Sequence, residues 1–298
     1  KSPLVGITKT NIINIFYRAY QLSSYIKKEN IRIIHVSWTK DLLLSALVKL
    51  FSGNKISIIY HRQMKITRYK KDIYHNFIYK SINIVLVITK ALSEDCKKFL
   101  PIDNDRIIKL SYGIALPDNK NTFDKKLLFD EIELQENIFT IGVFSRIEEQ
   151  KGQHLIIEAL NILHEKNIQL LIVGHCMDIS YQNDLRKMIE KYNMHDRVAF
   201  KPFIESPMKI MPMLDLIILP TYEETFGLVV AESMLMGTPV IGSNAGGVPE
   251  IINDNNNGLL FESRNSKSLS KKILSIYESE ELRIKLSNNA KIFASEEY

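Results

Sequence analysis

Short apolar runs rich in β-branched residues alternate with longer segments of helical periodicity through the first half of the chain. The helical segments, such as DLLLSALVKLFSG, place apolar residues three or four positions apart, which is typical of an amphipathic helix. Strands that alternate with helices predict βαβ units and a parallel sheet. The predicted strands of this half are 31–38, 55–62, 83–90 and 105–113.

The same alternation begins again after residues 115–135, a segment without clear periodicity that we interpret as a linker. We therefore predict two Rossmann-like, doubly wound parallel-sheet domains of the α/β class, at residues 1–126 and 127–298. Because open α/β sheets bind ligands at the carboxyl ends of their strands, we expect the two sheets to face a shared cleft. The predicted strands of the second half are 137–145, 167–174, 197–203, 215–220, 238–243 and 258–261.

Composition and charge distinguish the two halves. The 298 residues are 45% hydrophobic and 24% charged, which is ordinary for a globular protein of two domains, and no apolar run is long enough to predict a spanning helix. Residues 1–126 hold 23 Lys and Arg against 9 Asp and Glu, a net charge of +14, whereas residues 127–298 carry a net charge of −9. The basic half suits nucleic acid, an anionic membrane or a phosphorylated substrate, and a solvated lysine-rich surface is the alternative.

The two cysteines, Cys96 and Cys176, stand far apart and lie in no CxxC or Cys/His cluster. This pattern predicts neither a disulfide framework nor a metal site, and it fits a reducing cytoplasm, where we expect the protein to reside. The first residues, KSPLVGITKT, lack the long apolar core of a secretory signal. The chain opens on Lys1 rather than Met, and we expect it to be a fragment.

A glycine-centred segment, EETFGLVVAE (223–232), lies between a predicted strand and a predicted helix. Thr225 is the predicted N-cap, since its hydroxyl can accept a hydrogen bond from a first-turn amide. The amides of Phe226, Gly227 and Leu228 would then be free to meet an anion at the positive end of the helix dipole. An ordinary capping loop is the alternative interpretation.

Two glutamates, Glu224 and Glu232, stand eight positions apart in this segment. If the helix ran through both, that spacing would place them about two turns apart on one face, where they could contact different parts of one ligand. The alternative is a solvent-facing glutamate beside a capping loop.

Two cations follow the first predicted strand of the second half, in FSRIEEQKG (144–152). Arg146 and Lys151 would lie in the loop at the carboxyl end of that strand, where a guanidinium fork and an ammonium group suit a diphosphate. A second loop, SNAGGVPEII (243–252), joins a Gly-Gly pair to a proline in a first helical turn, which lets backbone approach a ligand closely. Surface charges in a polar loop and a plain turn are the alternatives.

Together these stretches resemble the GT-B glycosyltransferases of family 4, the retaining group that uses nucleotide-sugar donors. The most specific match is PTYEETFGLVVAESMLMGTPVIGSNAGGVPEII (220–252), where the strand, the two glutamates, the G-x-P-V motif and the Gly-Gly loop occur in the family's order. The stretches FSRIEEQKG, LLIVG and VAFKPFI match as well. The resemblance covers nearly the whole chain and is weaker before residue 137.

The resemblance implies a donor site in the second domain. Arg146 and Lys151 would bind the donor diphosphate and stabilise the leaving group as negative charge develops. Glu232 would accept hydrogen bonds from the ribose, and Glu224 would contact hydroxyls of the transferred sugar near the reacting centre. The family generally needs no bound metal, and no DxD-like pair stands where a metal would join the phosphates in this sequence.

Further donor contacts are implied by position in the same motifs. Phe203 and Ile204 would lie beside the nucleobase through main-chain contacts. The residues expected to contact the phosphates or the sugar are Thr225, Phe226, Gly227 and Leu228.

The resemblance places the acceptor in the first domain, where His61 resembles the family's histidine near the reacting centre. A satisfied loop or core histidine is the alternative. The following segment, 62–72, mixes lysine and arginine with Met64, Ile66 and Tyr69, which suits an anionic membrane surface or a phosphate-bearing lipid acceptor. A mobile charged loop is the alternative, and no nucleic-acid partner is expected.

Both ends of the chain depart from the family. Nothing before residue 31 resembles the strand and glycine-rich loop that normally open the first domain, and the chain stops at SEEY, before a helix that would cross back to that domain. We therefore expect the first domain to be incomplete.

The resemblance thus implies a retaining, metal-independent glycosyltransferase of the hexosyltransferase class. It would transfer a sugar from a UDP-, GDP- or ADP-sugar, without a bound cofactor, to a hydroxyl of a glycan or lipid-linked acceptor in cell-surface polysaccharide, lipopolysaccharide or glycolipid synthesis. We expect it in the cytoplasm, with the basic domain able to contact the cytoplasmic face of the membrane. Two alternatives are open: a nucleotide-sugar 2-epimerase, and a degenerate domain that binds nucleotide sugars without catalysis.

Overall fold

A computed structural model describes residues 12–117, 124–131 and 134–298. The chain divides into two compact units, Lys1–Ser111 and Tyr112–Tyr298, and each is built around one parallel sheet. The predicted α/β class with two parallel-sheet domains is therefore confirmed. Residues 112–117, which the predicted division assigned to the first domain, group with the second unit.

The first unit contains a four-stranded parallel sheet whose strands follow chain order, β1-β2-β3-β4. Parallel neighbours need crossover connections, and helices supply them here. Asp72 and Thr89 fix the start of two helices, because their side chains accept the amides of His75 and Leu92. The elements are α1 Ile12–Lys28, β1 Ile33–Val36, α2 Leu42–Phe51, β2 Ser57–Arg62, α3 Ile73–Lys80, β3 Ile84–Val87, α4 Lys90–Phe99 and β4 Ile107–Lys109.

The second unit contains a six-stranded parallel sheet in the order β10-β9-β8-β5-β6-β7. Its elements are α5 Lys125–Glu131, β5 Phe139–Phe144, α6 Gln153–Ile162, β6 Ile168–Val173, α7 Ile179–Lys191, β7 Val198–Lys201, β8 Leu216–Leu219, α8 Leu228–Met236, β9 Val240–Ser243, α9 Val248–Ile251, β10 Leu259–Phe261, α10 Ser266–Glu278 and α11 Glu280–Glu297.

Strand β5 marks the point where the strand order of the second sheet reverses. It pairs with β6 on one side and with β8 on the other. The loops that leave β5 and β8 therefore begin side by side at the carboxyl edge of the sheet, where open α/β sheets bind ligands. Ile141 and Val143 of β5 and Leu216 and Ile218 of β8 are fully buried, so the apolar interior fixes where both loops start.

Helix α5 lies inside the segment 115–135 that the sequence analysis interpreted as a linker. It has seven residues, and the side chain of Phe129 is buried. A helix this short, fixed by a buried aromatic side chain, has too few apolar positions to show helical periodicity.

Helices α10 and α11 were also not predicted, although their sequence carries the signal. Leu269, Ile273 and Ile276 are fully buried at helical spacing on α10. Asn265 and Ser279 stand at the N-caps, and their side chains accept first-turn amides. A cap residue followed by periodic apolar positions would have identified α10, and Ser279 would have marked the start of α11.

We predict that Ile157→Ala lowers the free energy of unfolding by about 2–5 kcal/mol, because this side chain is fully buried on α6 and its truncation leaves a cavity. The matched control is Ile162→Ala at the end of the same helix, where the side chain is 46% exposed and the expected loss is below about 1 kcal/mol. Urea unfolding followed by circular dichroism measures both. Equal losses would contradict the packing of α6 against the sheet.

Candidate functional site

Two loops meet at the carboxyl edge of the second sheet: the β5–α6 loop, residues 145–152, and the β8–α8 loop, residues 220–227. The amide of Tyr222 donates to the carbonyl of Gln150 at 3.0 Å. Gly152 has a left-handed φ of 69°, and a Cβ there would lie 2.4 Å from the carbonyl oxygen of Pro220. A side chain at residue 152 would therefore push the loops apart.

Lys151 and Glu224 connect these two loops through an ion pair. Lys151 Nζ lies 2.9 Å from Glu224 Oε2, and the two side chains are 17% and 25% exposed. Gly246 and Gly247, in the turn between β9 and α9, pack against the backbone of Glu224. The amide of Gly247 donates to the carbonyl of Glu224 at 2.7 Å, and a Cβ on Gly246 would lie 2.1 Å from that same oxygen. The Gly-Gly pair thus allows the β9–α9 turn to approach the backbone of Glu224 closely.

Arg146 lies earlier in the β5–α6 loop and is also paired with a carboxylate. Its Nη2 is 2.8 Å from Glu148 Oε1, and its side chain is 57% exposed. The fully buried Gln153 fixes its backbone, because Gln153 Nε2 donates to the Arg146 carbonyl at 2.8 Å and to Ser145 Oγ at 3.0 Å. A ligand with stronger negative charge can compete for Arg146 while the backbone beneath it stays in place.

Gly227 is the N-cap of α8, with a left-handed φ of 97° and no side-chain cap. The amide of Val230 donates back to its carbonyl at 2.9 Å, whereas the amides of Leu228 and Val229 have no acceptor within the helix. The prediction of Thr225 as the N-cap is wrong, because the glycine conformation starts the helix two residues later. The first turn nevertheless lies next to Glu224, since a Cβ on Gly227 would lie 3.8 Å from Glu224 Cγ. Helix-start amides in such a position suit an anion.

The prediction that Glu224 and Glu232 share one helix face is wrong, because α8 begins at Leu228, after Glu224. Glu224 lies in the loop, where it pairs with Lys151. Glu232 lies on α8 itself and is half-buried, and this burial raises the pKa of its carboxyl. The two carboxylates thus occupy different environments.

A small cavity of about 260 Å³ collects several of the predicted residues. Phe203, Ile204 and Arg146 line it, together with Val229 from the first turn of α8. His175 stacks on the exposed Phe203 ring, with centroids 5.0 Å apart and planes 12° apart. An aromatic platform beside a cation suits a flat heterocycle that carries a phosphate.

His175 was missed in the sequence analysis, and the strand register explains its position. β6 and β7 are parallel neighbours that pair Val173 with Lys201. The residues two positions beyond each partner, His175 and Phe203, consequently lie side by side. The sequence pattern of one strand carries no information on its register with a neighbouring strand, so the pair was not predicted.

The structure therefore places the predicted donor residues in two groups within one unit. Lys151 and Glu224 form the first group, and Arg146, Phe203 and Ile204 form the second. The side chain of Phe226, also predicted, is 5% exposed and packs edge-on against Tyr112 and Tyr298. Its aromatic ring therefore belongs to the core of the unit.

His61 belongs to the first unit, near the carboxyl end of β2. Its ring stacks with that of His35 on the neighbouring strand, with centroids 5.8 Å apart and planes 20° apart. Burial, and to a smaller extent His35, lowers the pKa of His61. The imidazole is thereby kept neutral to lower pH than a free histidine.

Within the described residues, no group of three or more His, Cys, Asp and Glu side chains is arranged to bind a metal ion. None of the helices in the described ranges combines the length and the hydrophobicity needed to cross a bilayer.

Residues 124–293 match the family model of the glycosyl transferases group 1, which is more than half of the chain. The chain belongs to the group 1 glycosyltransferase family. The matched region contains both loops of the candidate site and the whole sheet of the second unit.

Two relatives illustrate the similarity of this group 1 chain to known sequences. An uncharacterised glycosyltransferase from Methanocaldococcus jannaschii is 28% identical over 204 residues, which cover 66% of this chain and 56% of the relative. The N-acetyl-alpha-D-glucosaminyl L-malate synthase of Bacillus anthracis is 24% identical over 289 residues, which cover 94% of this chain and 74% of the relative. The match therefore spans little more than half the length of the archaeal protein.

Solved structures share the fold. A glycosyltransferase from Rickettsia africae superposes with a TM-score of 0.87 at 22% identity, over 99% of this chain and 79% of the other. Anabaena Alr3699/HepE, solved in complex with UDP and glucose, superposes with a TM-score of 0.80 at 21% identity, over 94% of this chain and 77% of the other. These similarities show that the predicted GT-B class of two α/β domains is correct.

We predict that Glu232→Gln removes a pH dependence of stability. A carboxyl whose pKa is raised on folding binds more protons in the folded state, so wild-type stability falls as the pH rises from the ordinary glutamate range through the raised pKa. The glutamine variant lacks this loss. The difference in free energy of unfolding between the variant and wild type should therefore favour the variant more at pH 7 than at pH 4. Urea unfolding at both pH values measures the difference, and a parallel pH response of the two proteins would contradict the burial of Glu232.

Proposed function

We propose that this protein is a retaining, metal-independent glycosyltransferase of family 4 that transfers a sugar from a nucleoside-diphosphate sugar to a hydroxyl of a glycan or lipid-linked acceptor. The Lys151–Glu224 ion pair carries this proposal, because it joins two loops at the carboxyl ends of β5 and β8, and Glu224 lies next to the start of α8, whose first amides have no acceptor within the helix. Membership of the group 1 family supports the reaction class.

Donor binding would proceed by exchange of partners. A diphosphate carries more charge than a carboxylate and offers more acceptor oxygens, so it can displace Glu224 from Lys151 and Glu148 from Arg146. The released Glu224 is then available to the hydroxyls of the transferred sugar. Gly227 and Leu228, with neighbouring Thr225 and Phe226 of the same loop, would contribute main-chain contacts to the phosphates or the sugar.

The nucleobase would occupy the cavity beside Phe203 and Ile204, where His175 and Phe203 form a stacked platform. Glu232 would accept hydrogen bonds from the ribose hydroxyls. UDP is the first donor nucleotide to test, because Anabaena Alr3699/HepE is solved with UDP and glucose and Staphylococcus aureus TarM with UDP. GDP- and ADP-sugars are the comparison ligands.

The chemical step would depend on electrostatic stabilisation of the leaving group. As the bond from the sugar to the phosphate breaks, negative charge grows on the departing oxygen, and Lys151 and Arg146 stabilise it. With no side-chain nucleophile assigned, retention implies attack on the same face, and the departing phosphate oxygen helps to accept the proton of the acceptor hydroxyl. His61, kept neutral by burial, would lie near the reacting centre on the acceptor side.

The first unit would present the acceptor and contact an anionic membrane surface from the cytoplasmic side. Met64, Tyr69 and Ile73 are 70%, 63% and 91% exposed, in or directly after the basic segment 62–72. Ile66, which the sequence analysis grouped with them, is 3% exposed and packs inward. Exposed apolar side chains among lysine and arginine residues suit the boundary between headgroups and acyl chains.

We predict that Lys151→Ala and Arg146→Ala in the whole protein each lower kcat by about 100- to 1,000-fold, since each removes one electrostatic donor to the leaving group. The matched control is Lys187→Ala, an exposed lysine on α7 that also pairs with a carboxylate. Release of UDP from UDP-sugars in the presence and absence of acceptor measures turnover.

Control-like turnover in both variants would contradict the phosphate site. Conversion of the UDP-sugar to an isomer without acceptor would indicate an epimerase instead. Nucleotide binding without turnover by the whole protein would indicate a degenerate domain.

We predict that Ile73→Ser weakens binding to phosphatidylglycerol-containing vesicles by about tenfold, because an exposed isoleucine can no longer enter the interface. The matched control is Ile179→Ser, which alters an isoleucine that is 72% exposed in the acidic second unit. Vesicle sedimentation at low and high salt measures the affinity. Equal effects of the two variants, or binding that does not depend on the charge of the lipid, would contradict membrane contact through this segment.

A further inference from the structure

His154 lies in the first turn of α6, three residues after Lys151, and both of its ring nitrogens are hydrogen-bonded. Nδ1 lies 2.8 Å from the hydroxyl of Tyr181 on α7, and Nε2 lies 2.8 Å from the hydroxyl of Tyr222 in the β8–α8 loop. A neutral imidazole can donate with one nitrogen and accept with the other, so it satisfies both tyrosines at once. One side chain therefore links three elements around the candidate site.

The Tyr181 hydroxyl also fixes the start of α6. It accepts the backbone amide of His154 at 3.1 Å. Gly152 is the N-cap of α6 and makes no side-chain cap hydrogen bond. Tyr181 therefore supplies from a neighbouring helix the acceptor that a capping side chain would normally provide.

Tyr222 is held on several sides and lies two residues before Glu224. Its amide donates to the carbonyl of Gln150, and the guanidinium of Arg264 lies over its ring, 4.4 Å from the centroid. The His154 ring meets it edge-on, with centroids 5.9 Å apart. Movement of the β8–α8 loop away from α6 would break the contacts to Gln150 and His154.

We propose that His154 is a positioning residue that, through its hydrogen bonds to Tyr181 and Tyr222, holds the β8–α8 loop against the start of α6 and so sets the spacing of Lys151 and Glu224 for a donor diphosphate. This inference rests on the proposed function, because it assigns a diphosphate to that pair. No contact between His154 and the ligand is required.

The surroundings of His154 keep it in the neutral form that the linkage uses. Burial lowers the pKa of the ring, and this effect outweighs the opposing influence of the Glu158 and Glu149 carboxylates. A neutral ring can exchange one donor and one acceptor with the two tyrosines without placing a charge between them.

The test uses Tyr222→Phe, which removes the hydroxyl and keeps the ring under Arg264, and His154→Phe, which removes both side-chain hydrogen bonds. The control is His164→Gln, an exposed histidine just after the end of the same helix. Calorimetric titration with UDP and with UMP separates the contact to the second phosphate from contacts to the nucleoside. We expect Tyr222→Phe, which loses one hydrogen bond, to bind UDP about fivefold more weakly, and His154→Phe, which loses two, to bind UDP at least as weakly, with UMP affinity unchanged in both.

Two affinity results would overturn the inference: UDP affinity like wild type in both test variants, or equal losses for UDP and UMP, which indicate only a general loss of structure. Amide hydrogen exchange gives a second readout that needs no ligand. Segments 149–154 and 220–226 should exchange faster in Tyr222→Phe than in wild type and stay unchanged in the control, and unchanged exchange in the test variant would also overturn it. A wild-type protein that binds none of UDP, GDP and ADP would count against the proposed function, and the exchange data would still decide whether His154 couples the loops.

Discussion

The ion pair between Lys151 and Glu224 is the interaction on which the candidate site depends. It is mostly shielded from water, with side chains 17% and 25% exposed, and it joins loops that start from different strands. Such a pair gains little net stability, because the cost of removing both charges from water offsets their attraction. Its value here is positional: it keeps a cation and a carboxylate side by side until a ligand with stronger charge separates them.

Two features of the second unit allow Lys151 and Glu224 to meet. The reversal of strand order at β5 starts the two loops next to each other. Gly152 and Gly246 permit backbone approaches that any side chain would block, at Pro220 and at Glu224. Separately, the fully buried Gln153 fixes the backbone under Arg146, so that the Arg146 side chain can change partners while its backbone stays in place.

Most of the fold, and the position of Arg146, Lys151 and Glu224 in loops at the carboxyl ends of β5 and β8, could be predicted from the sequence, because strand–helix alternation and the two loop motifs are local patterns. What failed depended on backbone conformation or on strand register. Thr225 has the side chain of an N-cap, yet the left-handed conformation of Gly227 decides where α8 begins. His175 joins the site only because β6 and β7 align Val173 with Lys201, and no local pattern records that alignment.

A crystal structure of the protein with UDP tests the central claim most directly. We expect oxygens of the diphosphate within hydrogen-bonding distance of Lys151 Nζ and of the first amides of α8, with the Lys151–Glu224 pair separated and the uracil beside Phe203. A diphosphate bound elsewhere on the second unit, with that pair intact, would contradict the account.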